Sequence, residues 1–324
     1  MTYTKTTLLP CTPDEAFALI TEPERLRRWQ TVSAYVDLRA GGSYRWTVSP
    51  GHVAAGTYRE VEPGHRIVFG WGWEGNPDLP PDASTITVTV EPAEGGSRVT
   101  LEHNGLNAEQ AATHAVGWNH YFDRLQTAAV KGDAGPDEFA FVPENLDPVV
   151  AADAALAVLQ PVLRNLTDQD RDKPTPCDEL TCQDVVEHLV TSLIQLGSMT
   201  GATIDDPVTG SPDKRVSEVA AEVIDAWRRV DLDGTVEGPS GEMPAAFFAA
   251  IVPMELLLHG WDLAQASGQT QHVSDEVVEY IRGITEPVIT AGRGRSFGDE
   301  VTPADGASPL DRLAAFAGRT PITA

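Results

Sequence analysis

The stretch Phe247–Ala264 reads FFAAIVPMELLLHGWDLA. It is nearly all apolar and belongs to a helical run, 244–266, with a kink expected near Pro253, which cannot donate to the carbonyl of Ala249. Inside it, Glu255 and His259 stand at i and i+4, on one side of the helix and one turn apart. A bare buried carboxylate is so costly that it finds a partner or takes up a proton. Three arrangements answer that cost: a solvated edge of the helix, a hydrogen-bonded pair in a core, or two ligands of a metal.

The surrounding sequence keeps a helical period. Residues 149–166 form a first helix, and LTCQDVVEHLVTSLIQLG (180–197) a second, with Thr181 and Asp184 spaced for a capping box. Residues 214–230 form a third, the run around Glu255 a fourth, and SDEVVEYIRGITEPVI, capped by Ser274, a fifth. This is a four-helix bundle with extra C-terminal elements. On the second helix, Val185, Leu189 and Ile194 flank His188 and turn it inward, while Glu187 points away. Two facing helices can therefore offer His188, Glu255 and His259 to one point. Two imidazoles and a carboxylate are a usual set for a divalent transition metal with open positions. The pattern alone also fits an ordinary core histidine and a chance ExxxH pair.

The first half has a different period. TYTKTTLL alternates; SYRWTVS puts Tyr44, Trp46 and Val48 on one face; RIVFGWGW puts Ile67, Phe69, Trp71 and Trp73 on one face. STITVTV and SRVTLEH follow, joined by the turn composition EPAEGG. Short helices are expected over 13–28, capped by Thr12, and one long helix over 107–131 with Val116, Tyr121 and Leu125 in its apolar stripe. The layout is α+β, a curved antiparallel sheet around a long helix. The segment KGDAGPDEFAFVPENLDP has no period and reads as a linker. The expected division is a domain at 1–134, a linker at 135–146 and a domain at 147–324. Trp46, Phe69, Trp71, Trp73 and Trp118 are candidates to line an apolar ligand cavity in the first domain. His52, His65, His103 and His272 fall near turns or strand ends and read as solvated, Arg27 and Arg28 as surface residues, and no metal is expected at His114 and His120.

Composition narrows the partners. The 324 residues carry 48 acidic against 23 basic side chains, a formal net charge of −25. That charge splits as −8 over 1–145 and −17 over 146–324. Such a surface repels nucleic acid and anionic lipid, so neither is an expected partner. Three cysteines, Cys11, Cys177 and Cys182, are no disulfide framework, and no signal peptide is visible at the start, which makes the cytoplasm the expected compartment. The longest apolar run, Ala245–Val252, is shorter than a membrane span.

Two resemblances add to these readings. PTPCDELTCQDVVEHLV, PMELLLHGWDLAQASGQ and the tail RSFGDEVTPADGASPLDRLAAFAGRTP occur in order, and over 147–324 the chain resembles the DinB-like, mycothiol-dependent maleylpyruvate isomerase family of actinobacteria. The resemblance implies a divalent metal, usually zinc, on His188, Glu255 and His259. It departs from the family at Leu180, where a Trp is common, a change that touches packing more than metal. The segments TPDEAFALITEPERLRRW, DLRAGGSYRW, GTYREVEPGHRIVFGWGW and HAVGWNHYFDRLQ are similar to the START-like (SRPBCC) superfamily, closest to bacterial homologues of the heat-shock ATPase activator domain. That resemblance implies a helix-grip fold, a seven-stranded sheet bent around the long helix with an apolar cavity.

Together the resemblances imply a divalent-metal-dependent enzyme of the DinB-like thiol-transferase or isomerase class. An activated thiol, mycothiol by the family, would act on a small electrophile, and the START-like domain would bind a hydrophobic ligand or substrate. Two alternatives stay open: a metal-dependent hydrolase, lyase or cyclase without a thiol, and a non-catalytic pair of small-ligand-binding modules.

Overall fold

The alternating segments of the first half become one sheet. The computed structural model describes residues 1–177, 180–238 and 241–322. The chain divides into two units, Met1–Asp137 and Glu138–Ala324.

The first unit runs β1 (Thr2–Leu9), α1 (Pro13–Thr21), α2 (Pro23–Leu26), β2 (Ser33–Val36), β3 (Ser43–Ser49), β4 (His52–Glu62), β5 (Arg66–Trp71), β6 (Ser84–Ala93), β7 (Gly96–Asn104) and α3 (Ala108–Lys131). The seven strands form an antiparallel sheet in the order β1-β7-β6-β5-β4-β3-β2. Register shifts at Thr47/Ser49 and Tyr58/Glu60 mark bulges, which bend a sheet and increase its twist. Thr12 caps α1 through Glu15 N, and Asn107 and Gln110 form a capping box on α3.

The buried face of α3 is Trp118, Tyr121, Phe122, Leu125 and Ala128, packed into a core with Tyr44, Trp46, Phe69 and Trp71. Each such side chain contributes about 1.5–3 kcal/mol by leaving water. Val116, expected in that stripe, is 64% exposed: it lies two residues before Trp118 and so on the opposite side of the helix. Arg27, expected at the surface, is buried. After α3 the chain folds back. Arg124 donates to the carbonyls of Trp29, Gly135 and Pro136, and His120 Nε2 lies 2.8 Å from Asp137.

The second unit begins with a 3₁₀ turn (Glu138–Ala140). It continues through α4 (Pro148–Arg164), α5 (Cys182–Ser198), α6 (Pro212–Trp227), β8 (Thr235–Gly238), β9 (Gly241–Pro244), α7 (Ala245–Ala249), α8 (Ile251–Ser267), α9 (Asp275–Ala291) and α10 (Pro309–Phe316). Helix α4 packs on α6 and α8, and α5 packs on the same two, which closes a four-helix bundle. Among the described residues the unit's long elements are helices, and the antiparallel pair β8–β9 is one that the helical period does not anticipate. The interruption expected near Pro253 falls at Ala250, between α7 and α8. Ala245–Ser267 is long and apolar enough to cross a membrane, but 78% of its apolar window is buried inside the protein, as for a core helix. In the motif PTPCDELTCQDVVEHLV, Asp178 and Glu179 lie outside the described residues.

Candidate metal centre

Helices α5 and α8 bring His188, Glu255 and His259 together. One ligand atom from each lies within 4.8 Å of the other two. The Nε2 atoms of His188 and His259 stand 3.3 and 3.6 Å from Glu255 Oε2. The two rings meet edge to face, with centroids 4.8 Å apart. Exposure grades across the cluster. The side chain of His259 is 4% exposed, that of Glu255 15% and that of His188 45%. His188 is thus a rim residue rather than an inward one, and the cluster opens to solvent on its side.

Glu255 Oε2 is buried and makes no hydrogen bond of good geometry, although two nitrogens face it. Burial pushes the Glu255 carboxyl up, but the adjacent His188 and His259 together pull harder and hold it below its ordinary range. Burial alone would have raised it; the imidazoles reverse the direction. Burial pushes the His259 imidazole down, but Asp262 and Glu255 outweigh this and raise it to about 9. Each group thus favours the charged form of the other. Two imidazole nitrogens converging on a carboxylate oxygen that has no aligned donor make a three-atom set that fits a divalent transition metal.

Two further residues complete the surroundings of His259. Asp262 Oδ2 accepts from His259 Nδ1 at 3.0 Å, which leaves Nε2 aimed at Glu255. Arg319, from the C-terminal tail, donates through Nε to both oxygens of Asp262 at 3.0 Å. Asp262 is wholly buried and Arg319 nearly so. A carboxylate behind a ligand imidazole fixes its tautomer and raises its basicity. Cys177 also lies close: its sulfur and atoms of His259 and Asp262 fall within 4.8 Å of one another.

The sequence reading did not assign Asp262, Arg319 or Cys177. For Asp262 a signal existed, since HGWD places it three residues after His259 and on the same face. Arg319 is brought in only by the tail's return, which no local spacing encodes.

In the first unit, Trp46, Phe69 and Trp118 line a void of about 20 Å³, together with Trp29, Gln30 and Ile20. That is room for about one water. The indole N–H of Trp46 is buried without a hydrogen-bond partner. Trp71 and Trp73 do not line this void; both donate through Nε1 to His114 Nε2 at 3.2 Å, and His114 Nδ1 donates to Gln110 O at 2.8 Å. His103, expected to be solvated, is fully buried. Its Nδ1 accepts from Trp118 Nε1 at 3.1 Å, so its Nε2 donates to Ser84 Oγ at 2.8 Å, and Ser84 donates on to Trp71 O.

Residues 10–129 match the family described as activator of Hsp90 ATPase homolog 1-like protein. The AHSA1-like protein RHE_CH02687 (1-152) from Rhizobium etli, solved in solution by NMR, is 36% identical, with 45% of this chain and 91% of that chain covered at a TM-score of 0.37. The first unit is an AHSA1-like domain of the START-like (SRPBCC) type, with a helix-grip fold. Two curated relatives, the uncharacterized proteins MT0763 and Rv0738 of Mycobacterium tuberculosis, strains CDC 1551 / Oshkosh and ATCC 25618 / H37Rv, are each 33% identical over 185 residues. The match covers 54% of this chain and 99% of each relative. It is longer than the whole first unit, so it reaches into the second. By that identity and coverage, the chain belongs to the family of these two mycobacterial proteins.

Proposed function

We propose that the second unit is a DinB-like domain holding one divalent metal, zinc by the family resemblance, on His188, Glu255 and His259. We further infer that the protein is a metal-dependent enzyme of the thiol-transferase or isomerase class. The observation that carries the metal reading is Glu255 Oε2, buried without an aligned hydrogen bond while two imidazole nitrogens face it at 3.3 and 3.6 Å. When bound, the metal supplies Lewis acidity, lowering the pKa of a thiol or water and polarising a carbonyl.

The chain's own residues do the rest. Asp262 holds His259 with Nε2 towards the site, and Arg319 balances the buried charge of Asp262. The bundle excludes water from the His259 side, while the exposed His188 side admits a small molecule. Mycothiol as the thiol follows from the family resemblance. The AHSA1-like unit, Met1–Asp137, is proposed to bind a hydrophobic small molecule. Three free cysteines suit a reducing cytoplasm.

The test is metal analysis by inductively coupled plasma mass spectrometry of the full chain, purified without a histidine tag. The wild type should carry about one divalent metal per chain and Glu255→Gln almost none. Retention of full metal by Glu255→Gln removes Glu255 from the ligand set. A metal-free wild type that takes up neither zinc nor cobalt removes the reading altogether. Mass spectrometry after incubation with a thiol and a model electrophile then tests the thiol class.

A further inference from the structure

Helix α5 carries a hydroxyl one turn beyond its candidate ligand. Ser192 Oγ lies 3.3 Å from His188 Nε2, the same nitrogen that stands 3.3 Å from Glu255 Oε2. In the metal-free protein that nitrogen has one site to share. Once its lone pair is given to a metal, it can neither accept from Ser192 nor donate to it. The hydroxyl stays beside the ligating nitrogen, because both side chains project from the same face of one helix. It also stands on the open side of the cluster: the His188 side chain is 45% exposed, against 4% for His259. Ser192 therefore lies beside the exposed ring through which the cluster meets solvent.

We propose, resting on the metal reading above, that Ser192 is a ligand-binding residue of this centre. Its hydroxyl donates a hydrogen bond to the donor atom of the incoming small molecule, thiolate sulfur or anionic oxygen. The competing arrangement is a hydroxyl that bonds back to the carbonyl one turn earlier and takes no part in the site.

The experiment uses the full chain loaded with cobalt(II), as wild type, Ser192→Ala and Ser192→Thr. Cobalt affinity is measured by competition with a chromophoric chelator. 2-Mercaptoethanol is then titrated, following the sulfur-to-cobalt absorption. Loss of one hydrogen bond to a charged acceptor should raise the thiol dissociation constant of Ser192→Ala by about tenfold. Its cobalt affinity should be unchanged, and Ser192→Thr should restore thiol affinity. Equal thiol affinity in wild type and Ser192→Ala overturns the proposal. So does a parallel fall in cobalt affinity, which would mean the hydroxyl only supports His188. A wild type that takes up no cobalt overturns the metal reading and this proposal with it, and that result comes before any thiol is added, so the two failures are told apart.

Discussion

Acidification should weaken the first unit through His103, which sits fully buried in an indole-lined network. Burial first, and the neighbouring His114 second, push its pKa from 6.5 down to about 3. His114 is also lowered, by burial. The unfolded chain takes up a proton at His103 near 6.5, and the folded protein does not until about 3. The stability tied to this group is therefore intact above 6.5 and is lost as the pH falls from there towards 3. At about pH 5 the unfolded state has gained about 1.5 pH units of protonation, so the loss is about 2 kcal/mol from His103 alone. Urea unfolding at about pH 7.5 and about pH 5, followed by tryptophan fluorescence, measures it. Five of the seven tryptophans lie in the first unit, so the signal reports mainly on that unit. His103→Gln keeps a donor and an acceptor but cannot titrate. It should be less stable than wild type near neutrality, yet its stability should depend less on pH, by about 2 kcal/mol over that interval. Equal losses in wild type and His103→Gln would refute the buried, neutral assignment.

Two substitutions test other parts of the molecule. A Cβ added at Gly70 would clash with Asp82 Oδ1, and that carboxylate holds Thr57 N and Oγ1, so Gly70→Ala should cost about 1–3 kcal/mol in denaturant unfolding, and an unchanged midpoint would contradict the close approach. Asp262→Asn keeps the shape but removes the charge behind His259, so zinc affinity, measured by chelator competition, should fall about 10–100-fold; undiminished affinity would mean that Asp262 does not support the ligand.

Much of the fold was legible because local signals and tertiary packing agree. Tyr44, Trp46 and Val48, then Ile67, Phe69 and Trp71, alternate in sequence and are all buried. Thr12, Thr181 and Ser274 cap the helices they precede. His103 lies near a strand end, a position that suggests solvent, but its phase in the strand decides its burial. In SRVTLEH it continues the alternation of Val99 and Leu101, which are buried on the same face. Its strand is also flanked on both sides, opposite Tyr3 on β1 and Ile86 on β6, a long-range pairing that no local window contains. Val116 failed for the converse reason: one apolar residue does not make a stripe. At the candidate site, the i, i+4 spacing of Glu255 and His259 was readable, and the approach of His188 followed from bundle packing. The degree of exposure of His188 was not, since it depends on which side of α5 the neighbouring helices leave uncovered.

The two units place polar groups in apolar surroundings and resolve the cost differently. In the first, His103 and His114 stay neutral and both nitrogens of each ring have partners among Trp71, Trp73, Trp118, Ser84 and the Gln110 carbonyl. Neither ring keeps an unpaired nitrogen, and a closed network of this kind fixes side chains without offering an imidazole to a ligand. In the second, the Asp262–Arg319 pair and the His259 Nδ1 bond are complete, but Glu255 Oε2 has no aligned donor and stands next to the half-exposed His188. A buried oxygen without a hydrogen bond costs about 1–3 kcal/mol. An unfilled acceptor, two convergent imidazoles and an opening to solvent occur at one place in the second unit. That coincidence, rather than the ExxxH spacing by itself, is the physical reason to look for chemistry there.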